Sequence, residues 1–180
     1  ARGLALGYWP SSSGESNCKI KLNVDGSVNL LVGSVDLSST RTGLAQIVAE
    51  ELQISINKIQ VITGDTSIIG FTQASAGSRI SHDMGTAVYL ACKDLLSQLK
   101  QKCVNKLGGN IGNIEYSQGI FRRKDDFSNS ITLQKLSTYI ISNAVEVIGY
   151  GFVSELELAP ASAGHVVDIE IDTDTGKVNI

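Results

Sequence analysis

Val35-Asp36-Leu37-Ser38-Ser39-Thr40-Arg41-Thr42 opens the stretch that decides how this chain folds, and residue 107 closes it. Inside that stretch Leu44, Ile47, Val48 and Leu52 recur at helical spacing, with Ser38, Ser39, Thr40 and Thr42 available as caps, so a helix is expected over about residues 42–52. The small-residue loop Ala74-Ser75-Ala76-Gly77-Ser78-Arg79 feeds a second helix. There Ile80, Met84, Ala87, Val88, Ala91, Leu95, Leu99 and Cys103 keep to steps of three and four, which predicts one helix of about 28 residues, on the order of 40 Å long, ended by Gly108-Gly109. Both helices thus begin after small polar residues, where free backbone N–H groups and the helix dipole attract anions. That is a geometry for docking a phosphate-like group.

Outward from there the signals are mostly strands. Residues 4–9 form a short apolar segment cut by Pro10, and residues 11–17 read as a loop. Residues 19–24 alternate polar and apolar up to Asp25-Gly26, a strong hairpin signal, and residues 27–32 return. Residues 58–62 alternate again and lead into Gly64-Asp65-Thr66. Residues 68–77 have no period and are expected to be a loop packed against the site. A small hairpin is expected at residues 114–122, a third helix at 131–142, and strands at 145–153 and 164–172. A turn at Thr173-Asp174-Thr175-Gly176 and a last strand at 177–180 follow. The Ala159-Pro160-Ala161-Ser162-Ala163 segment is expected to be a mobile link. With no repeat and no linker, residues 1–180 read as a single α+β domain, a mixed or antiparallel sheet with hairpins covered by three helices, one of them long.

The bulk composition narrows the function. In 180 residues with 42% hydrophobic content there is enough apolar material for a proper core. A net charge of −3 without a basic cluster argues against duplex nucleic acid as the main partner. Cys18, Cys92 and Cys103 form neither a CxxC pair nor an even set, so reduced thiols and a cytoplasmic setting are expected rather than zinc or disulfides. No apolar run approaches the roughly 20 residues that span a bilayer, so no membrane partner is expected. Ala1 in place of an initiator methionine suggests a piece of a longer protein.

Among individual residues, Arg41 and Arg79 stand out. A cation in the first turn of a helix opposes the dipole unless it faces an anion or a carboxylate, and both helix starts carry one. Asp172, Asp174 and Gly176 mimic the opening of a calcium loop without its later ligands, and are better read as a hairpin turn. His82 and His165 lie far apart and are expected to be structural or surface residues. No nucleophile–base arrangement and no metal site follow from spacing, so no catalytic and no metal residue is assigned.

Five segments in order resemble the molybdenum-cofactor-binding domain of the xanthine dehydrogenase, aldehyde oxidase and carbon monoxide dehydrogenase large-subunit family. They are Arg2-Gly3-Leu4-Ala5-Leu6-Gly7-Tyr8-Trp9, Asp25-Gly26-Ser27-Val28, Leu44-Ala45-Gln46-Ile47-Val48-Ala49-Glu50-Glu51-Leu52, Gly64-Asp65-Thr66, and Gly77-Ser78-Arg79 followed by Gly85-Thr86-Ala87-Val88. The resemblance implies a molybdopterin-dependent hydroxylase acting on an aldehyde or a nitrogen heterocycle with oxygen from water. Its molybdopterin carries molybdenum, in bacteria often as the cytosine dinucleotide, and electrons leave through iron–sulfur and flavin (FAD) domains or subunits. Carried over by position, Gly77, Ser78 and Arg79 match the family's Gly-Ser-Arg cofactor loop, with Ala76 beside them in the expected cofactor-binding set, and Leu37, Ser38, Ser39 and Thr40 stand where the family has a Met-Gly-Gln-Gly turn.

Two departures qualify this. Ser-Ser-Thr replaces Gly-Gln-Gly, so the family's glutamine contact is absent. The family's catalytic glutamate belongs downstream and another cofactor loop upstream, so this piece alone is expected to be inactive and to be completed by the remainder of the molybdopterin domain. Glu15, in Ser13-Gly14-Glu15, comes too early in the order to be that glutamate. A cofactor-free structural or assembly homologue, and an unrelated anion-binding module, are the alternatives.

Overall fold

The computed structural model describes residues 1–180. The central unit is a four-stranded mixed sheet in the order β4 (Ile59–Thr63), β3 (Val28–Val32), β2 (Ser16–Leu22), β8 (Ile148–Val153). Strands β2 (Ser16–Leu22) and β3 (Val28–Val32) are the antiparallel pair expected around Asp25-Gly26, with Gly26 at φ 78°. Their alternation is real: Cys18, Ile20, Leu22, Val28, Leu30 and Val32 are buried on one face. Helix α1 (Thr40–Leu52) then carries the chain to β4 (Ile59–Thr63), which pairs with β3 in parallel. A parallel pair needs such a crossover, and the helix supplies it.

The long helix is α2 (Gly85–Leu107), preceded by one π-helical turn over Ile80–Met84. All eight residues of the expected stripe are buried. Antiparallel β8 (Ile148–Val153) flanks β2 and lies directly against α2. A Cβ built on Gly149 would stand 2.2 Å from the Ala91 carbonyl oxygen, and one on Gly151 1.8 Å from that of Ala87. Only glycine lets strand and helix backbones come this close. The exposed edge of β8 is partly blocked, because the Tyr150 N–H donates to the Asp94 carboxylate at 2.9 Å.

A second, three-stranded antiparallel sheet joins β5 (Ile114–Ser117), β6 (Ile120–Arg123) and β7 (Ser130–Thr132). The third helix, α3 (Leu133–Ser142), starts two residues later than expected because Ile131 pairs with Phe121 as a strand residue. Thr132 caps α3, accepting the Lys135 N–H at 3.2 Å. Helices and sheets close over one apolar core.

The two ends form ribbons outside that core. Strand β1 (Arg2–Trp9) pairs with β9 (Ala161–Asp168), and every residue of both is exposed. The expectation of a mobile link over residues 159–163 is therefore corrected at Ala161, Ser162 and Ala163, which are registered against Trp9, Tyr8 and Gly7. The expected strand at 164–172 is split, since β9 ends at Asp168 and β10 (Glu170–Ile171) pairs instead with β11 (Val178–Asn179). No helix is long and apolar enough to cross a membrane.

Candidate functional site

At the start of α1 the backbone turns through Ser38 and Ser39, at φ 55° and 61°. Left-handed conformations are rare outside glycine, so this turn is held by its surroundings. Asp36 does much of it: its carboxylate accepts the Arg41 N–H at 3.1 Å and the Thr40 hydroxyl at 3.4 Å. The Arg41 guanidinium does not face an anion, as it donates to the Val61 carbonyl at 3.0 Å. A carboxylate of the chain itself therefore caps α1.

The second helix start is different. Gly77 and Ser78 are left-handed at φ 62° and 60°, and Arg79 returns to the right-handed region at φ −88°. Successive N–H groups in such an alternation point into one concavity that accepts anions. None of the N–H groups of Ala76, Gly77, Ser78, Arg79, Ile80 and Ser81 donates to another group of the chain. Ser12 holds the carbonyls behind them: its N–H donates to Gly77 at 2.8 Å and its hydroxyl to Ala76 at 3.0 Å.

Arg79 resolves its sequence anomaly through the second of the two expected options, a carboxylate. Its Nε donates to Asp83, one turn on, at 3.0 Å, with the two side chains 2% and 0% exposed. The remaining N–H groups bond the Gln73 carbonyl at 2.9 Å, those of Gly14 and Glu15 at 2.5 and 2.8 Å, and the Ser16 hydroxyl at 2.7 Å. Asp83 also accepts the Gly14 N–H at 2.8 Å and faces the His82 ring at 3.0 Å. The guanidinium is thus a buried strut beneath the loop, with its donors used up internally.

The two turns meet. Leu37, Ser38 and Thr40 line one wall of a cleft of about 410 Å³, and Ala76, Gly77, Ser78 and Arg79 the other, joined by Ser75, Ile80 and Ser81. Ser39 stands one step back, at the N-cap of α1. No carboxylate borders the cleft. Sequence reasoning missed Ser75, Ile80 and Ser81 on the lining, and Ser12, Gly14 and Asp83 behind it. The Arg79–Asp83 spacing of four was a legible clue, whereas contacts from residues 12 and 14 carry no local signal.

The other candidates stay structural. Asp172 accepts the N–H groups of Asp174 and Thr175 at 2.9 and 3.1 Å, as a hairpin turn does. His165 lies on the exposed β9, and Glu15 contributes its main chain. No group of three His, Cys, Asp or Glu residues is placed to hold a metal ion. Cys18, Cys92 and Cys103 are free and buried, and burial pushes the thiols of Cys92 and Cys103 up to about 12.

Comparison with known proteins places the chain in one family. The profile described as a molybdopterin cofactor-binding domain covers residues 1–180. The chain is 28% identical over 122 residues to the carbon monoxide dehydrogenase large chain of Hydrogenophaga pseudoflava, covering 67% of this chain and 15% of that protein. It is 24% identical over 179 residues to the aldehyde oxidoreductase molybdenum-binding subunit PaoC of Escherichia coli K12, covering 99% of this chain and 23% of that one. The chain thus spans less than a quarter of these relatives. The fold is shared with a carbon monoxide dehydrogenase from Oligotropha carboxidovorans, at a TM-score of 0.83 and 20% identity over 98% of this chain and 24% of that one. With a family profile matched from end to end, the chain belongs to the molybdopterin cofactor-binding domain family.

Proposed function

We propose that the cleft between residues 37–40 and 76–79 grips the phosphate-bearing part of molybdopterin, as part of a molybdenum hydroxylase. The observation that carries this reading is the run of unshared N–H groups at Ala76 to Ser81, in residues that line one cleft with Leu37, Ser38 and Thr40 and with no carboxylate on its lining. Such a site suits a dianionic phosphate in charge and in donor geometry. The hydroxyls of Ser38, Ser75 and Ser78 add short donors, the Thr40 hydroxyl stays on Asp36, and Leu37 and Ile80 supply apolar surface for the pterin. Ser39 supports the first turn and Arg79 braces the second from beneath. When bound, the cofactor supplies the two-electron chemistry; these residues fix where it sits.

The parent enzyme in this reading hydroxylates an aldehyde or nitrogen heterocycle in the cytoplasm, and passes electrons to iron–sulfur and flavin partners. The cofactor's cytosine dinucleotide form belongs to the same reading. In this reading the catalytic groups come from the rest of the parent protein, and the chain alone is inactive. The remainder of the molybdopterin domain packs on the exposed β1–β9 ribbon, where Leu4, Leu6, Tyr8 and Val166 stand 70%, 81%, 67% and 64% exposed on one face. A lone two-stranded ribbon is marginal in water, which favours a cover there.

The test is Ser78→Asp in the full-length protein, read by molybdenum and phosphorus content. Asp tolerates the left-handed conformation, and its charge beside a bound phosphate lowers retained cofactor by about tenfold or more. Full retention would sink the reading.

A further inference from the structure

We propose that Ser12 is a positioning residue that aims the anion-binding amides of the cofactor loop. In a trans peptide the N–H points opposite to the C=O of the same plane, and this chain has no cis peptide bond. Holding a carbonyl therefore sets the direction of the next residue's N–H. Ser12 holds two in succession. Its hydroxyl donates to the Ala76 carbonyl at 3.0 Å, which directs the Gly77 N–H, and its own N–H donates to the Gly77 carbonyl at 2.8 Å, which directs the Ser78 N–H. Both amides are unshared within the chain and belong to residues that line the cleft.

The fit behind the loop leaves no slack. A Cβ on Gly77 would stand 2.1 Å from the Ser12 hydroxyl oxygen, so only glycine lets the loop rest on this serine. Ser12 is itself fixed on both sides. Ala159 N–H donates to the Ser11 hydroxyl at 3.0 Å and Leu156 N–H to that of Ser13 at 2.7 Å. Gly14 is clasped by Asp83 at 2.8 Å and Arg79 at 2.5 Å. Residues 11–14 therefore form a rigid backstop, and Ser12 is the part of it that touches the loop. Preorganised dipoles bind an anion better than ones that must first rotate.

The inference rests on the proposed cofactor cleft, and one experiment separates the two. Amide exchange over residues 76–81 and molybdenum content are measured in the full-length protein, cofactor-loaded and cofactor-stripped, for the parent sequence, Ser12→Ala and the shape-matched pair Ser12→Thr and Ser12→Val. In the parent sequence loading slows exchange at Gly77 and Ser78. Ser12→Ala and Ser12→Val lose about fivefold in retained molybdenum and in that protection, the value of one hydrogen bond, while Ser12→Thr keeps both. If the parent sequence is protected and Ser12→Ala and Ser12→Val match it, the role of Ser12 is overturned and the cleft stands. If Ser12→Ala folds poorly, the Thr and Val pair alone decides. If loading protects neither amide in the parent sequence, the cleft reading falls and this one with it.

Discussion

Arg79 and Asp83 pair at 3.0 Å inside the protein, with side chains 2% and 0% exposed. Removing one partner leaves the other as an uncompensated buried charge, which costs about 3–5 kcal/mol. Asp83→Ala is therefore expected to lower unfolding stability by that amount in urea titration. Arg79→Ala is expected to be as damaging, since the guanidinium also ties Gln73, Gly14, Glu15 and Ser16 to one point. Cofactor loss on changing Arg79 would thus reflect a collapsed loop. An unchanged midpoint for Asp83→Ala would show that the pair contributes nothing.

Glycines in this chain divide by what a methyl group would meet. At Gly151 it would be driven into the Ala87 carbonyl, 1.8 Å away on the rigid backbone of α2. Gly151→Ala should cost about 3 kcal/mol or more by parting strand from helix. Gly43, inside α1, has nothing within 4 Å of such a methyl. Gly43→Ala should stabilise by about 0.5–1 kcal/mol through helix propensity. Thermal unfolding of the two variants must move in opposite directions for this reading of the packing to hold.

Burial raises the Cys92 and Cys103 thiols from 9.0 to about 12. The folded state keeps these protons at pH values where the unfolded chain has released them, so unfolding loses protons. Stability is then fully present below pH 9 and declines as pH rises from 9 to about 12. Denaturant titrations across that range check the slope, and a flat profile would contradict it. By the same burial, a thiol reagent should label none of the three cysteines before unfolding.

What the sequence made legible was what repeats locally. The eight apolar residues from Ile80 to Cys103 were readable because one face of a helix must be buried, and Asp25-Gly26 because few residues tolerate its turn. The parallel pairing of β3 with β4 was not readable, as the strands themselves carry no mark of direction. Nor was the partnership of β1 with β9, whose first pair joins Arg2 to Asp168. At the site, the two polar turns were legible as helix starts, and the cleft brings them together. The inward course of Arg79 was only half visible: Asp83 lay at the right spacing, but the carbonyls of residues 14 and 15 came from a loop more than sixty positions away. Ser38, Ser39 and Ser78 gave no sign of their left-handed backbone, because serine is ordinarily elsewhere.

That last feature yields a prediction at the first turn. Ser38 and Ser39 sit at φ 55° and 61°, a conformation costing roughly 1–2 kcal/mol per non-glycine residue. Glycine removes that cost but loses more freedom on folding, by roughly 0.5–1 kcal/mol. Ser38→Gly and Ser39→Gly should each therefore stabilise the protein by about 0.5–1 kcal/mol, measured by denaturant titration. Ser38 also lines the cleft, and in the proposed reading its hydroxyl donates to the cofactor. Losing that donor should lower retained molybdenum in Ser38→Gly by about fivefold even as stability rises. Opposite movement of the two readouts is what separates a binding serine from a merely strained one. If stability and molybdenum content rise together, Ser38 touches no cofactor and the first turn acts through its main chain alone.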